Sequence, residues 1–352
     1  MPVKALITDL AGLTLSGEER AFLRDANPWG LILFGKQGNN DRNIGSPDQV
    51  RALVHSFRDA VGRADAPVLV DQEGGRVQRL EPPHWPDYPP GAAYGRLYDV
   101  DPALGRRAAW LGGRLIAHDL AALGITVDCL PLGDVPVSDA DRVIGDRAYG
   151  TTPAKVAALA AAVADGLLDG GVLPVLKHLP GHGRAPVDSH KELPRVTADR
   201  ATLAATDFAA FRPLAGLPMG MTAHVVFAAI DPVAPATTSV TMVQEVIRGT
   251  IGFDGLLMTD DISMQALAGS LGERARASLA AGCDVVLHCN GSLAERVEVA
   301  TNVPPLAGDA ARRATAALAA RRAPSALDIG AARAEFAALL ARQPAMASMG
   351  MS

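Results

Sequence analysis

The segment Lys177-His178-Leu179-Pro180-Gly181-His182-Gly183, followed by Asp188-Ser189-His190, gathers a lysine, three imidazoles and a carboxylate into one short stretch. Pro180, Gly181, Gly183 and Pro186 break the backbone there, so the segment is neither a regular helix nor a strand. Asp188 and His190 are two residues apart, and on extended backbone such side chains face the same way. A carboxylate beside an imidazole orients the ring and raises its proton affinity, which makes a proton shuttle working near neutral pH. The plain alternative is a solvent-exposed loop histidine.

The elements around this segment must place it. The apolar run from Gly171 to Leu176 just before it reads as a buried strand, so the titratable groups sit at a strand end and on the loop that follows. Further strands are expected at 5–8, 30–34, 68–71, 126–130, 220–223, 256–258 and 284–287, with the fifth at 173–176. Helical segments alternate with them, several opening on cap residues, such as Ser46 before 48–60 and Thr152-Pro153 before 154–168. Eight strand–helix repeats predict an α/β fold, a single (β/α)8 TIM-type barrel in which some strands can be irregular. A doubly wound open sheet is the competitor, but no G-x-G-x-x-G opens a helix after the first strand. The expected organisation is one barrel domain over 1–341 and a flexible tail over 342–352.

In such a barrel the C-terminal strand ends carry the chemistry. Those ends hold Asp71 with Gln72-Glu73-Gly74-Gly75-Arg76, then Lys177-His178, His224, Thr259-Asp260-Asp261 and Cys289-Asn290. Each has a bland explanation. A lone aspartate is commonly a helix cap, and Asp260-Asp261 would cap a helix over 262–268. His224 would be a satisfied core imidazole, and Gly74-Gly75 a turn. Their joint occurrence at one end weakens that explanation for the set more than for any member.

Composition excludes several classes. The chain has 352 residues, 49% of them apolar, and a net charge of −5. No basic block offers a nucleic-acid footprint. Cys129, Cys283 and Cys289 are odd in number and too few for a disulfide scaffold, so reduced thiols and a cytoplasmic location are expected. Neither a signal peptide nor a membrane span is expected. The first strand offers no His-x-His pair, so no metal site is expected.

The histidine segment with Asp188-Ser189-His190 resembles the signature of family-three glycoside hydrolases, and within them the single-domain bacterial β-N-acetylglucosaminidases. Supporting pieces occur in the same order: 30–34, Asp71 through Arg79, Asp146-Arg147, 221–224, 258–264 and 281–284. The resemblance runs from about residue 5 to residue 300; no cofactor is expected, and a monomer is the default expectation with the oligomeric state left open. The resemblance implies Asp260 as nucleophile, His190 as general acid/base and Asp188 as its orienting partner. Asp71, Arg79, Arg147, Lys177 and His178 match residues that hold a terminal N-acetylglucosamine, whereas His182 matches no chemical role. The implied reaction is retaining exo-hydrolysis of N-acetylglucosaminyl-anhydromuramyl peptides from cell-wall recycling, with chitin oligosaccharides as a second substrate class. The segments 35–40 and 234–239 depart from the family pattern and would alter the aglycone side. Two alternatives stay open: phosphorolysis by the same residues, and a Schiff-base lyase using Lys177.

Overall fold

A computed structural model describes residues 1–37 and 40–343. Eight parallel strands close into a barrel: β1 (Lys4–Thr8), β2 (Pro28–Leu33), β3 (Val68–Val70), β4 (Val127–Asp128), β5 (Leu173–Leu179), β6 (Met219–Thr222), β7 (Leu256–Asp261) and β8 (Val285–His288). Neighbours in sequence are neighbours in the sheet, and β1 pairs with β8 to close it. The (β/α)8 expectation therefore holds, with each of the eight strands at its expected place. Two run further than their sequence suggests. β5 extends through His178 to Leu179, and β7 through both aspartates of the doublet.

That second extension corrects the capping explanation for Asp260-Asp261. No helix covers 262–268; turns follow β7, and the next helix, Leu271–Ala281, opens on Ser270. Ser270 accepts from Glu273 N while Glu273 reaches back, a reciprocal cap that repeats at Ser16–Glu19 and Ser292–Glu295. Ser46 caps the helix Pro47–Val61 as expected, whereas Thr152 makes no side-chain cap bond.

Side chains from alternate strand positions fill the barrel interior. Ile7, Ile32, Leu69, Val127, Val175, Met221, Met258 and Leu287 pack there with Cys129 and Cys289. A second, larger apolar layer joins strands to the surrounding helices. All three cysteines are buried free thiols. No helix among the described residues is long and apolar enough to cross a membrane. The tail expected from 342 lies, from residue 344, outside the described residues.

Above β3 the chain folds into a small hairpin, Gln72–Gly74 against Val77–Gln78. The Gln72 side chain closes it, accepting from the Arg79 and Leu80 amides and donating to Leu80 O. Its corner is Gly74-Gly75, at φ +91° and +58°. A side chain at Gly74 would also strike Pro89 O, so the turn requires glycine there. This hairpin carries Asp71, Glu73 and Arg79 to the barrel mouth.

Candidate active site

A cavity of about 380 Å³ opens at the C-terminal ends of the strands. Asp71, Arg79, Arg147, Lys177, His178, Asp188, His190 and Asp260 all line it, so every residue singled out for the site reaches one place. Phe34, Glu73, His182, Ser189, Asp261 and Asn290 line it too.

One wall is a lattice of opposite charges. Lys177 Nζ, at the end of β5, lies 3.2 Å from Asp71 Oδ1 and 2.6 Å from Glu73 Oε1. Arg79 reaches Asp71 Oδ2 at 3.0 Å. Arg147, on a short turn of 3-10 helix (Gly145–Arg147), grips Glu73 with two bonds of 2.8 Å. Burial would raise both carboxyls, but the cations win. Lys177 and Arg79 hold Asp71 well below the usual carboxylate range, and Arg147 and Lys177 hold Glu73 at about 2. Burial would likewise discharge Lys177, yet Glu73 and Asp71 push its pKa above that of a free lysine. An amine held as ammonium is a poor carbonyl nucleophile, so the lattice speaks against Schiff-base chemistry at Lys177.

A buried carboxylate that sequence did not single out organises the histidines. Asp134 Oδ2 pairs with His178 Nδ1 at 2.7 Å, and Oδ1 accepts the His182 amide at 2.7 Å. Burial opposes its charge, but the His178 imidazole and these bonds hold its pKa near 2. His178 is thus oriented through Nδ1, leaving Nε2 for a ligand. His182 is buried, and that burial, with His178 beside it, lowers its pKa to about 4.

The Asp260-Asp261 doublet splits into two environments. Asp260 Oδ1 accepts the Asp261 amide at 2.7 Å; Oδ2 has no protein partner among the described residues. Burial raises Asp260, but His224, His178 and that amide bring it below its ordinary value. Asp261 is pushed up to about 6, chiefly by burial, while accepting from Ser263 and from the Cys289 amide. Neighbouring carboxyls pushed apart in this way take different tasks. His224 is fully buried, with Nδ1 on Thr237 Oγ1 at 2.7 Å and Nε2 donating to Asp261 O at 3.0 Å. The bland explanation therefore fits His224: it is a satisfied imidazole that steadies the doublet's backbone. Thr237 belongs to the departing segment 234–239, which supports His224 instead of lining the cavity. In 35–40, residues 38 and 39 lie outside the described residues.

The loop after β5 presents the dyad. His190 Nδ1 lies 2.8 Å from Asp188 Oδ1, which also accepts the His190 amide at 2.9 Å. Burial raises Asp188, but these bonds bring its pKa below the ordinary value. The His190 side chain is 64% exposed, and its Nε2 is free of protein partners among the described residues.

Sequence reading missed Glu73 and Asp134. Glu73 carried a signal, since it stands two residues from Asp71 and extended backbone puts both on one side. Asp134 carried a weaker one: a carboxylate in the apolar stretch Leu130–Val137, which can be buried only with partners.

Residues 5–312 match the Glycosyl hydrolase family 3 N terminal domain. A β-hexosaminidase of Alkalilimnicola ehrlichii is 43% identical over 289 residues, which cover 81% of this chain and 80% of that protein. The crystal structure of NagZ from Neisseria gonorrhoeae in complex with N-trifluoroacetyl-D-glucosamine superposes with a TM-score of 0.82 at 32% identity, covering 97% of each chain. The β-N-acetylhexosaminidase of Beutenbergia cavernae superposes with a TM-score of 0.68 at 27% identity, covering 96% of this chain and 93% of that one.

Proposed function

The chain belongs to glycosyl hydrolase family 3, and from that membership we propose that it is a retaining exo-β-N-acetylglucosaminidase in which Asp260 and His190 act on opposite sides of one glycosidic bond. The observation that carries this reading is their convergence: an ionised carboxylate with a free oxygen and an imidazole with a free Nε2 line the same cavity.

The lattice wall is the sugar subsite. Asp71 and Glu73 offer acceptors and Arg79, Arg147 and Lys177 offer donors at fixed positions, with the His178 Nε2 edge beside them, the pattern that suits a ring of hydroxyls. Lys177 has three N–H groups and spends two on Asp71 and Glu73, which leaves a third for the ligand.

Asp260 Oδ2 attacks the anomeric carbon and forms a glycosyl ester. His190, protonated and steadied by Asp188, gives its Nε2 proton to the departing oxygen. The neutral imidazole then takes a proton from water, whose oxygen attacks the anomeric carbon and frees Asp260. Retaining enzymes commonly pair two carboxyls about 5–5.5 Å apart. An imidazole acid avoids setting a second negative charge beside Asp260 as the cationic transition state collapses. Acid/base help of this kind contributes about 10²–10⁴ in rate.

The substrate class, cell-wall fragments bearing a terminal N-acetylglucosamine on anhydromuramyl peptide, and action in the cytoplasm as a monomer belong to the same proposal. The test is a comparison of substrates. Asp260→Asn should abolish turnover with the fold intact. His190→Ala should slow an unactivated disaccharide far more than a 4-nitrophenyl glycoside, whose leaving group needs little protonation. Equal losses on both would overturn the role of His190. Sugar 1-phosphate as main product in phosphate buffer would replace hydrolysis by phosphorolysis.

A further inference from the structure

The loop after β5 is two different structures joined end to end. Its first half, residues 180–185, is bolted down. Gly181 N bonds His178 O, and the His182 amide bonds Asp134. Val137 N and Asp141 N bond Gly183 O and Ala185 O. Arg184 reaches Asp207 Oδ2 at 2.6 Å and Thr206 Oγ1 at 2.9 Å. Gly183 packs so tightly that an added Cβ would lie 2.2 Å from Val135 O. Gly183 therefore serves close packing.

The second half, residues 186–193, carries Asp188 and His190 and has almost no attachments. The His190–Asp188 bonds and the Lys191 and Glu192 amides on Asp188 O lie inside the segment. Among the described residues a single hydrogen bond ties this arm to anything outside it: Ser189 Oγ to His182 Nε2, 3.0 Å. Both partners are buried, although the residue after Ser189 is strongly exposed.

We propose that Ser189 and His182 form the tether that holds the acid/base arm at the pocket, with Ser189 a positioning residue acting through His190 and His182 the fixed post. This rests on the reading of His190 as acid/base. The post is rigid because its own amide is held by Asp134, which also orients His178 in the sugar subsite. One carboxylate therefore references both the sugar and the proton donor to the same point. A buried imidazole that stays neutral at working pH keeps one ring nitrogen able to accept a hydroxyl proton, or one N–H to give, so the bond survives in either tautomer. His182, the one imidazole of the sequence segment left without a task, thereby acquires one.

The experiment compares Ser189→Ala, His190→Ala and the double variant. It reads kcat/KM on a 4-nitrophenyl N-acetylglucosaminide and on diacetylchitobiose, and amide hydrogen exchange over residues 186–193. Ser189→Ala should cost on the order of 10- to 100-fold on the disaccharide, the scale of a misplaced catalytic group, and far less on the aryl glycoside. In the His190→Ala background it should add less than about twofold, because the group it positions is gone. Exchange of the arm should quicken while that of β5 stays unchanged. Equal losses on both substrates that persist without His190, or an arm whose exchange does not change, would overturn the tether. If His190→Ala shows no leaving-group dependence, the acid/base reading falls, and arm exchange alone then decides: faster exchange sustains the tether and unchanged exchange refutes it.

Discussion

Replacing Glu73 by glutamine removes one charge and almost no volume from the centre of the lattice. Glu73 meets Lys177 at 2.6 Å and Arg147 twice at 2.8 Å, with 3% of its side chain exposed. With it neutral, Lys177 keeps Asp71, but Arg147 loses its only carboxylate partner among the described residues and keeps the Val143 carbonyl at 3.0 Å and at most the one amide oxygen of the new side chain. Removing one partner of a buried pair costs about 3–5 kcal/mol, because a cation is left buried without compensation. The proton balance gives a similar figure. The folded carboxyl titrates at about 2 against an ordinary 4.5, and that shift is worth roughly 3 kcal/mol. The sign follows: the stabilisation is fully present above about pH 4.5 and is lost as pH falls through about 2. Denaturant unfolding of both proteins at pH 7 should show the variant about 3 kcal/mol weaker, with the gap shrinking below pH 4.5. KM should rise as Arg147 and Lys177 lose their shared anchor. A difference below about 1 kcal/mol at pH 7, with KM unchanged, would refute the claim that Glu73 organises the wall.

Lys177→Ala should raise KM about tenfold or more with a smaller change in kcat, checked by initial rates, and borohydride should trap no adduct on the wild-type lysine. Gly183→Ala, whose Cβ would sit 2.2 Å from Val135 O, should cost about 1–3 kcal/mol in denaturant unfolding and lower kcat/KM by unseating the loop. His182 titrates at about 4 when folded and near 6.5 when unfolded, so only the unfolded chain takes up its proton between those values. Stability should therefore fall on acidification by about 2 kcal/mol from pH 7 to pH 5, a portion absent in His182→Gln, measured by urea unfolding at both values.

The barrel was legible because its eight strands are short apolar runs between Ala-rich helices, one of which opens on the cap residue Ser46. The boundaries that went astray did so for a local reason. Lys177-His178 and Asp260-Asp261 look like loop residues by polarity, yet they continue β5 and β7, since a strand end facing a polar mouth has no need of apolar side chains. The site was legible where chemistry-bearing residues cluster in sequence, as in the histidine segment. It was illegible where a partner arrives from far along the chain. Arg147 and Glu73 are 74 residues apart, and Asp134 and His178 44 apart, so nothing local announces either pair. His224 shows the converse: a histidine at a strand end that proves to be scaffold.

The charge lattice is complete before any ligand arrives. Since Asp71, Glu73 and Asp134 already immobilise their cations and imidazole, the ordering entropy of the pocket wall is spent during folding rather than at binding. A wall so stiff cannot rearrange around a hydroxyl that is missing or inverted, and each mismatch strands a desolvated group. The rim near His190, open and held by few bonds, imposes no such stringency. Discrimination should thus be steep for the ring at the bottom and lax for whatever extends beyond the mouth, leaving diversification a cheap route at the rim and an expensive one below it.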